Sequence, residues 1–167
     1  PAVGRFVARA GRALARQHAV PGACGVNPGV EAEGARAAGY TDAEIAELAK
    51  CANDIVYFAE TYAVVMTDNG VQKVKLREYQ KDLLRDFQNN RFNIVLASRQ
   101  MGKTVTASIF NAWYLTFNYD KTTLLLANKS ESTKEIIDKA KVVIENLPFF
   151  MKPGIIKYDV MNVRSDN

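Results

Sequence analysis

The sequence has little of what most catalytic and metal centres are built from: its 167 residues hold one histidine, His18, and two cysteines, Cys24 and Cys51. His18 lies far from any carboxylate cluster, which argues against a histidine-dependent triad or metal chemistry. The cysteines form no C-x-x-C pair and have no flanking histidine, so neither a zinc site nor a disulfide framework is indicated. Each reads as a buried or idle thiol, suited to a reducing cytoplasm. No apolar run approaches the roughly 20 residues that a bilayer-crossing helix needs, which predicts a soluble chain. A strong charge bias is also missing from most of the sequence. Five arginines, two glutamates and no lysine in residues 1–40 give that segment +3, whereas 17 basic and 16 acidic residues leave 41–167 at only +1. The basic pI of about 9.1 is therefore weak support for a nucleic-acid surface.

Residues 1–40 differ in kind from the rest, with seven of the ten glycines and eleven alanines. They read as a low-complexity segment, disordered or foreign to the domain that follows. Arg5, Arg9, Arg12 and Arg16 do fall at helical spacing opposite Phe6, Ala10 and Leu14, which leaves a basic amphipathic helix as the alternative. Gly4 and Gly11 weaken it.

Order is expected to begin at Thr41-Asp42-Ala43-Glu44, a capping box opening a helix to about Tyr62. Ile45, Leu48, Ala52, Ile55, Val56 and Ala59 form its apolar stripe. Ala63–Met66 and Val71–Leu76 then read as a β-hairpin around Thr67-Asp68-Asn69-Gly70, whose last two residues tolerate positive φ. A helix over Arg77–Gln88 leads to the apolar strand Phe92–Leu96. Downstream, a helix over Val105–Phe117, a strand over Thr122–Ala127, a helix opened by the capping box Ser132-Thr133-Lys134-Glu135, and a strand over Ile155–Val163 complete the chain. This alternation predicts an α/β fold with a parallel sheet, right-handed crossovers and flanking helices. Tyr57, Phe58, Tyr62, Trp113, Tyr114 and Phe117 read as core, and Lys134, Lys139 and Lys141, alternating with Glu135 and Asp138, as a solvated face.

Between the predicted strand and helix lies Ala97-Ser98-Arg99-Gln100-Met101-Gly102-Lys103-Thr104, which fits G-x-x-x-x-G-K-[ST] except for alanine at the first glycine. Strand, loop and helix start are the context of a phosphate-binding loop, where backbone N–H groups and the helix dipole favour anions. Lys103 would reach the β- and γ-phosphates of a nucleotide, and the Thr104 hydroxyl would sit on its Mg²⁺.

Four blocks in order resemble the N-terminal ATPase domain of tailed-phage terminase large subunits, the motors that package DNA into procapsids. They are Asn53-Asp54-Ile55-Val56-Tyr57-Phe58-Ala59-Glu60-Thr61-Tyr62, Leu76-Arg77-Glu78-Tyr79-Gln80, Ser98-Arg99-Gln100-Met101-Gly102-Lys103-Thr104, and Leu147-Pro148 followed by Pro153-Gly154-Ile155. The resemblance spans some 120 residues. It implies a P-loop ATPase over 41–167, with ATP and Mg²⁺ as cofactors. Tyr79 and Gln80 would meet adenine, Ser98 to Thr104 would hold the phosphates, and Lys103 and Arg99 would act in catalysis. It further implies double-stranded DNA, a portal protein and a small terminase subunit as partners, a ring oligomer, and the host cytoplasm as the place of action, with no membrane. Two alternatives stay open: a related helicase-like ATPase, and a non-enzymatic remnant.

Hydrolysis in this class needs an acidic residue ending a further strand, to hold Mg²⁺, and a glutamate beside it to polarise water. The sequence contains no apolar strand ending in Asp-Glu, and Asp159 and Asp166 do not substitute. The expectation is a piece of a packaging motor truncated before that strand. The chain alone should then bind ATP without sustained turnover; steady phosphate release that vanishes in Lys103→Ala would overturn this.

Overall fold

The computed structural model describes residues 39–67, 70–118, 122–153, 155–159 and 163–165. The readings of residues 1–38, with His18, Cys24 and the arginine helix, lie outside these, as does Asn69. The elements are α1 (Asp42–Asn53), α2 (Ile55–Tyr62), β1 (Val64–Thr67), β2 (Gly70–Lys73), α3 (Glu78–Asn89), α4 (Lys103–Phe117), α5 (Ser130–Glu145), a 3₁₀ turn (Phe149–Met151), β3 (Ile155–Tyr158) and β4 (Val163–Ser165).

The capping box forms as its spacing predicts. The Thr41 hydroxyl accepts the Glu44 N–H at 3.3 Å, and the Glu44 carboxylate accepts the Thr41 N–H at 2.8 Å. The helix it opens does not run to Tyr62, however. At Asp54 the backbone turns extended, and the Asp54 carboxylate accepts from Val56 N–H (2.9 Å) and Tyr57 N–H (3.1 Å), starting α2 anew. Gln88 at the end of α3 fastens this break, donating to the Asn53 carbonyl at 2.6 Å and accepting from Ile55 N–H at 3.3 Å. The apolar stripe survives the corner, with Leu48, Ala52, Ile55, Val56 and Ala59 all buried.

These residues join Ile109, Ala112, Trp113 and Phe117 of α4 and Ala140, Val143 and Ile144 of α5 in one core. Phe58 meets Phe117 edge-on with ring centroids 5.7 Å apart, and Trp113 Nε1 donates to the Cys51 carbonyl at 2.8 Å. Phe58, Trp113 and Phe117 are buried, while Tyr57, Tyr62 and Tyr114 pack against the core half-exposed, so the aromatics do serve as core. Burial raises the Cys51 thiol to about 12, which leaves it protonated and inert near neutral pH.

The sheets differ from expectation. β1 and β2 form the predicted hairpin, with Val64 opposite Lys73 and Thr67 opposite Gly70, and Gly70 takes φ +94°. The segment read as one C-terminal strand is instead a second antiparallel pair, β3 with β4. Among the described residues there is no parallel sheet. The segments 92–96 and 122–127, expected as its strands, carry no ladder hydrogen bonds. Ile94 (101% exposed), Leu96 (100%), Leu124 (79%) and Leu126 (85%) face solvent. A strand is stabilised by the neighbours that pair with it, and apolar content alone does not supply them. The fold described is mixed α/β, with its core made by helices.

Two details of α5 also depart from prediction. The helix begins at Ser130 rather than Ser132, with no side-chain cap, and Glu135 pairs with Lys139 at 2.5 Å instead of closing a capping box. Lys141 is buried, not solvated; its ammonium donates to the Asp159 carbonyl at 2.6 Å with Asp138 at 3.6 Å. No helix among the described residues is long and apolar enough to cross a membrane.

Near the α1–α2 corner, Glu47 accepts from the Tyr57 hydroxyl at 2.7 Å and the Tyr62 hydroxyl at 2.9 Å. The Tyr57 hydrogen bond above all holds its carboxyl below the ordinary value. A depressed folded-state value stabilises the fold above the ordinary carboxylate range, and that stabilisation disappears as pH falls through the folded value. Glu47→Gln should therefore flatten the acid limb of a plot of Tm against pH; an unchanged acid limb would show that the two tyrosines contribute nothing through this charge.

Candidate functional site

The loop from Ala97 to Gly102 is shaped by two left-handed residues, Gln100 at φ +62° and Gly102 at φ +73°. For glutamine this region costs about 1–3 kcal/mol, so the surrounding contacts must hold it. Glycine at 102 is favoured first by backbone and then by space. Its φ suits glycine, and a Cβ placed there would lie 2.6 Å from Gln80 Nε2. The absence of a side chain at 102 lets α3 come against the loop.

Lys103 opens α4 and folds back over the loop, its ammonium donating to the carbonyls of Ala97 (2.9 Å) and Ser98 (2.5 Å). Both acceptors are neutral, and neither Lys103 nor Arg99 forms an ion pair among the described residues. Lys103 thus opens a helix whose first N–H groups have no intrahelical acceptor, and Arg99 precedes it by four residues. The side chains of Ser98, Arg99 and Gln100 are exposed and the Thr104 hydroxyl has no partner among the described residues, so all four remain free to meet a ligand. Among the described residues no group of three or more His, Cys, Asp or Glu side chains could hold a metal ion.

Tyr79 and Gln80, in the first turn of α3, are brought to this loop. The Tyr79 hydroxyl donates to the Met101 carbonyl at 2.6 Å. Gln80 is buried; its amide oxygen accepts the Arg77 N–H at 3.0 Å and its amide nitrogen donates to the Thr106 hydroxyl at 3.3 Å. A glutamine amide has two donors and two acceptor sites, so one of each remains unspent.

Sequence reasoning missed Thr106. Fully buried in α4, it donates to the Gly102 carbonyl at 3.2 Å while receiving the Gln80 amide, which couples three parts of the site. A threonine inside a helix ordinarily back-bonds to the carbonyl four residues earlier, so the Gly102 contact was readable. No linear pattern pairs it with Gln80, 26 residues away. Ser108 was missed likewise: its hydroxyl lies 2.8 Å from the Thr104 carbonyl and 3.1 Å from that of Ile136, tying the first turn of α4 to α5.

Gly102→Ala should cost about 1–3 kcal/mol of stability through the left-handed backbone, with the displacement of Gln80 adding to it. Denaturant unfolding checks this, and a midpoint equal to the parent's would mean that the approach of Gln80 is not a constraint.

Residues 94–167 match the model of a family described as terminase large subunit, T4likevirus-type, N-terminal. The matched stretch contains the loop, α4 and α5, and begins after α3.

Proposed function

We propose, from the match of residues 94–167 to the terminase large subunit family model, that this chain carries the ATP-binding part of a DNA-packaging motor. The observation that carries the proposal is the loop itself. Lys103 is anchored only by neutral carbonyls, beside an unpaired Arg99 and a helix start, in a segment that the family match covers. On binding a triphosphate, Lys103 exchanges the Ala97 and Ser98 carbonyls for phosphate oxygens, a charge-assisted contact stronger than the one it leaves. Backbone N–H groups from Ser98 to Thr104 surround the β- and γ-phosphates, and Arg99 offsets charge at the γ-phosphate as the bond to it breaks. Tyr79 and Gln80 would meet the adenine, Gln80 by turning out from its buried place the amide donor and acceptor it has unspent.

Mg²⁺ fits this donor set. A lone threonine hydroxyl is what an ion that keeps several waters and binds mainly to nucleotide oxygens takes from a protein, and Thr104 offers one. Held there with the nucleotide, Mg²⁺ would supply neutralisation of phosphate charge. In the complete protein the motor acts in the host cytoplasm as a ring, on double-stranded DNA, with portal protein and small terminase subunit as partners.

Titration of a fluorescent ATP analogue tests the site directly. Lys103→Ala should weaken binding at least tenfold, a loss of about 1.4 kcal/mol or more; equal binding by parent and variant would remove the nucleotide-site reading.

A further inference from the structure

We propose that Tyr79 is a positioning residue for the phosphate loop, working through its hydroxyl on the Met101–Gly102 peptide. The proposal rests on the phosphate-site reading of the loop and deepens it. Gly102 sits at φ +73°, a conformation that suits glycine, and a Cβ there would press on the end of the Gln80 side chain. That solution carries a weakness of its own: glycine takes positive and negative φ about equally readily, so the Met101–Gly102 peptide is free to flip. Something else has to choose its orientation.

The Tyr79 hydroxyl does so by holding the Met101 carbonyl at 2.6 Å, across 22 residues of sequence. No peptide bond among the described residues is cis, and in a trans peptide the carbonyl and the following N–H point to opposite sides of one plane. Holding the Met101 carbonyl toward α3 therefore turns the Gly102 N–H away from α3. That N–H meets no acceptor among the described residues, and it immediately precedes Lys103 and the unsatisfied donors of the first turn of α4. A flipped peptide would present a carbonyl oxygen to a phosphate instead, replacing attraction with repulsion. Tyr79 thus selects the loop state that donates, and because it holds backbone, its effect is felt by any polyphosphate, with or without a base.

This separates the hydroxyl from the ring. Affinities for inorganic tripolyphosphate and for ATP, each with Mg²⁺, are measured calorimetrically for the parent chain, Tyr79→Phe, Tyr79→Leu and Lys103→Ala. Tyr79→Phe keeps the ring and should weaken both ligands about tenfold, with Tyr79→Leu no worse than Phe for tripolyphosphate. In ¹⁵N-labelled protein the Gly102 amide resonance should move in Tyr79→Phe while those of α5 stay in place. Parental affinity of Tyr79→Phe for both ligands would overturn the proposal, as would a loss confined to ATP, which would assign Tyr79 to the base. Resonance changes spread through α5 would also overturn it, since they would report a general loss of structure. If the parent binds neither ligand, or Lys103→Ala binds both as the parent does, the phosphate-site reading itself falls, an outcome distinct from a failure at Tyr79.

Discussion

The constraint on which the rest of the structure depends is that α4 must be enclosed by helices while its first turn stays open. Each neighbour is fixed to it by a contact of a different kind. Trp113 reaches the Cys51 carbonyl of α1, Phe117 packs on Phe58 of α2, Thr106 receives Gln80 of α3, and Ser108 lies against the Ile136 carbonyl of α5. Apolar burial supplies most of the stabilisation along the last three turns of α4. Polar contacts take over near the first turn, where Thr106 and Ser108 sit. The change of chemistry along one helix keeps its N-terminus hydrogen-bonded from the sides yet unsatisfied at the tip, which is what an anion site requires.

How legible this was in the sequence depends on the range of the interaction. The Thr41–Glu44 cap, the hairpin around Gly70 and the aromatic core rest on residues a few positions apart or on burial of bulky rings, and they form as the sequence implies. The turn into α4 is equally local, Gly102 and Lys103 being neighbours in sequence. The corner at Asp54 carried a local sign too, an aspartate able to cap a new helix, but an unbroken apolar stripe outweighed it. What decides the corner is Gln88, which reaches both sides of the break from 33 and 35 residues away. Lys141 misleads in the opposite direction, because alternating charges describe a wet face only until a carbonyl from another segment, here that of Asp159, offers the ammonium a buried partner.

The sheet shows the limit of reading type from composition. Both Phe92–Leu96 and Thr122–Ala127 have the apolar content of buried strands, yet a ladder is a relation between segments, and neither finds a partner among the described residues. The loop is therefore held in another way. Its entry is clasped by Lys103 at the carbonyls of Ala97 and Ser98, and its exit is carried by α4. The lysine closes the loop on itself, so that the loop keeps its shape although the residues before it have no ladder bonds.

That clasp also explains why the charge distribution matters more than the nearly neutral balance of residues 41–167. Lys103 and Arg99 have no carboxylate partner among the described residues, whereas most other basic side chains on α3 and α5 do: Lys81 with Glu60 and Glu78, Arg85 with Asp82, Lys139 with Glu135, Lys141 with Asp138. A paired cation is already satisfied and gains little from a passing anion, while one bonded only to carbonyls gains the full charge-assisted contact. On α3 and α5 the cations are thus largely spent on neighbouring carboxylates, while those of the loop are not. The sequence alone shows a balance of charges; which of them are spent on one another becomes visible only when the helices are assembled.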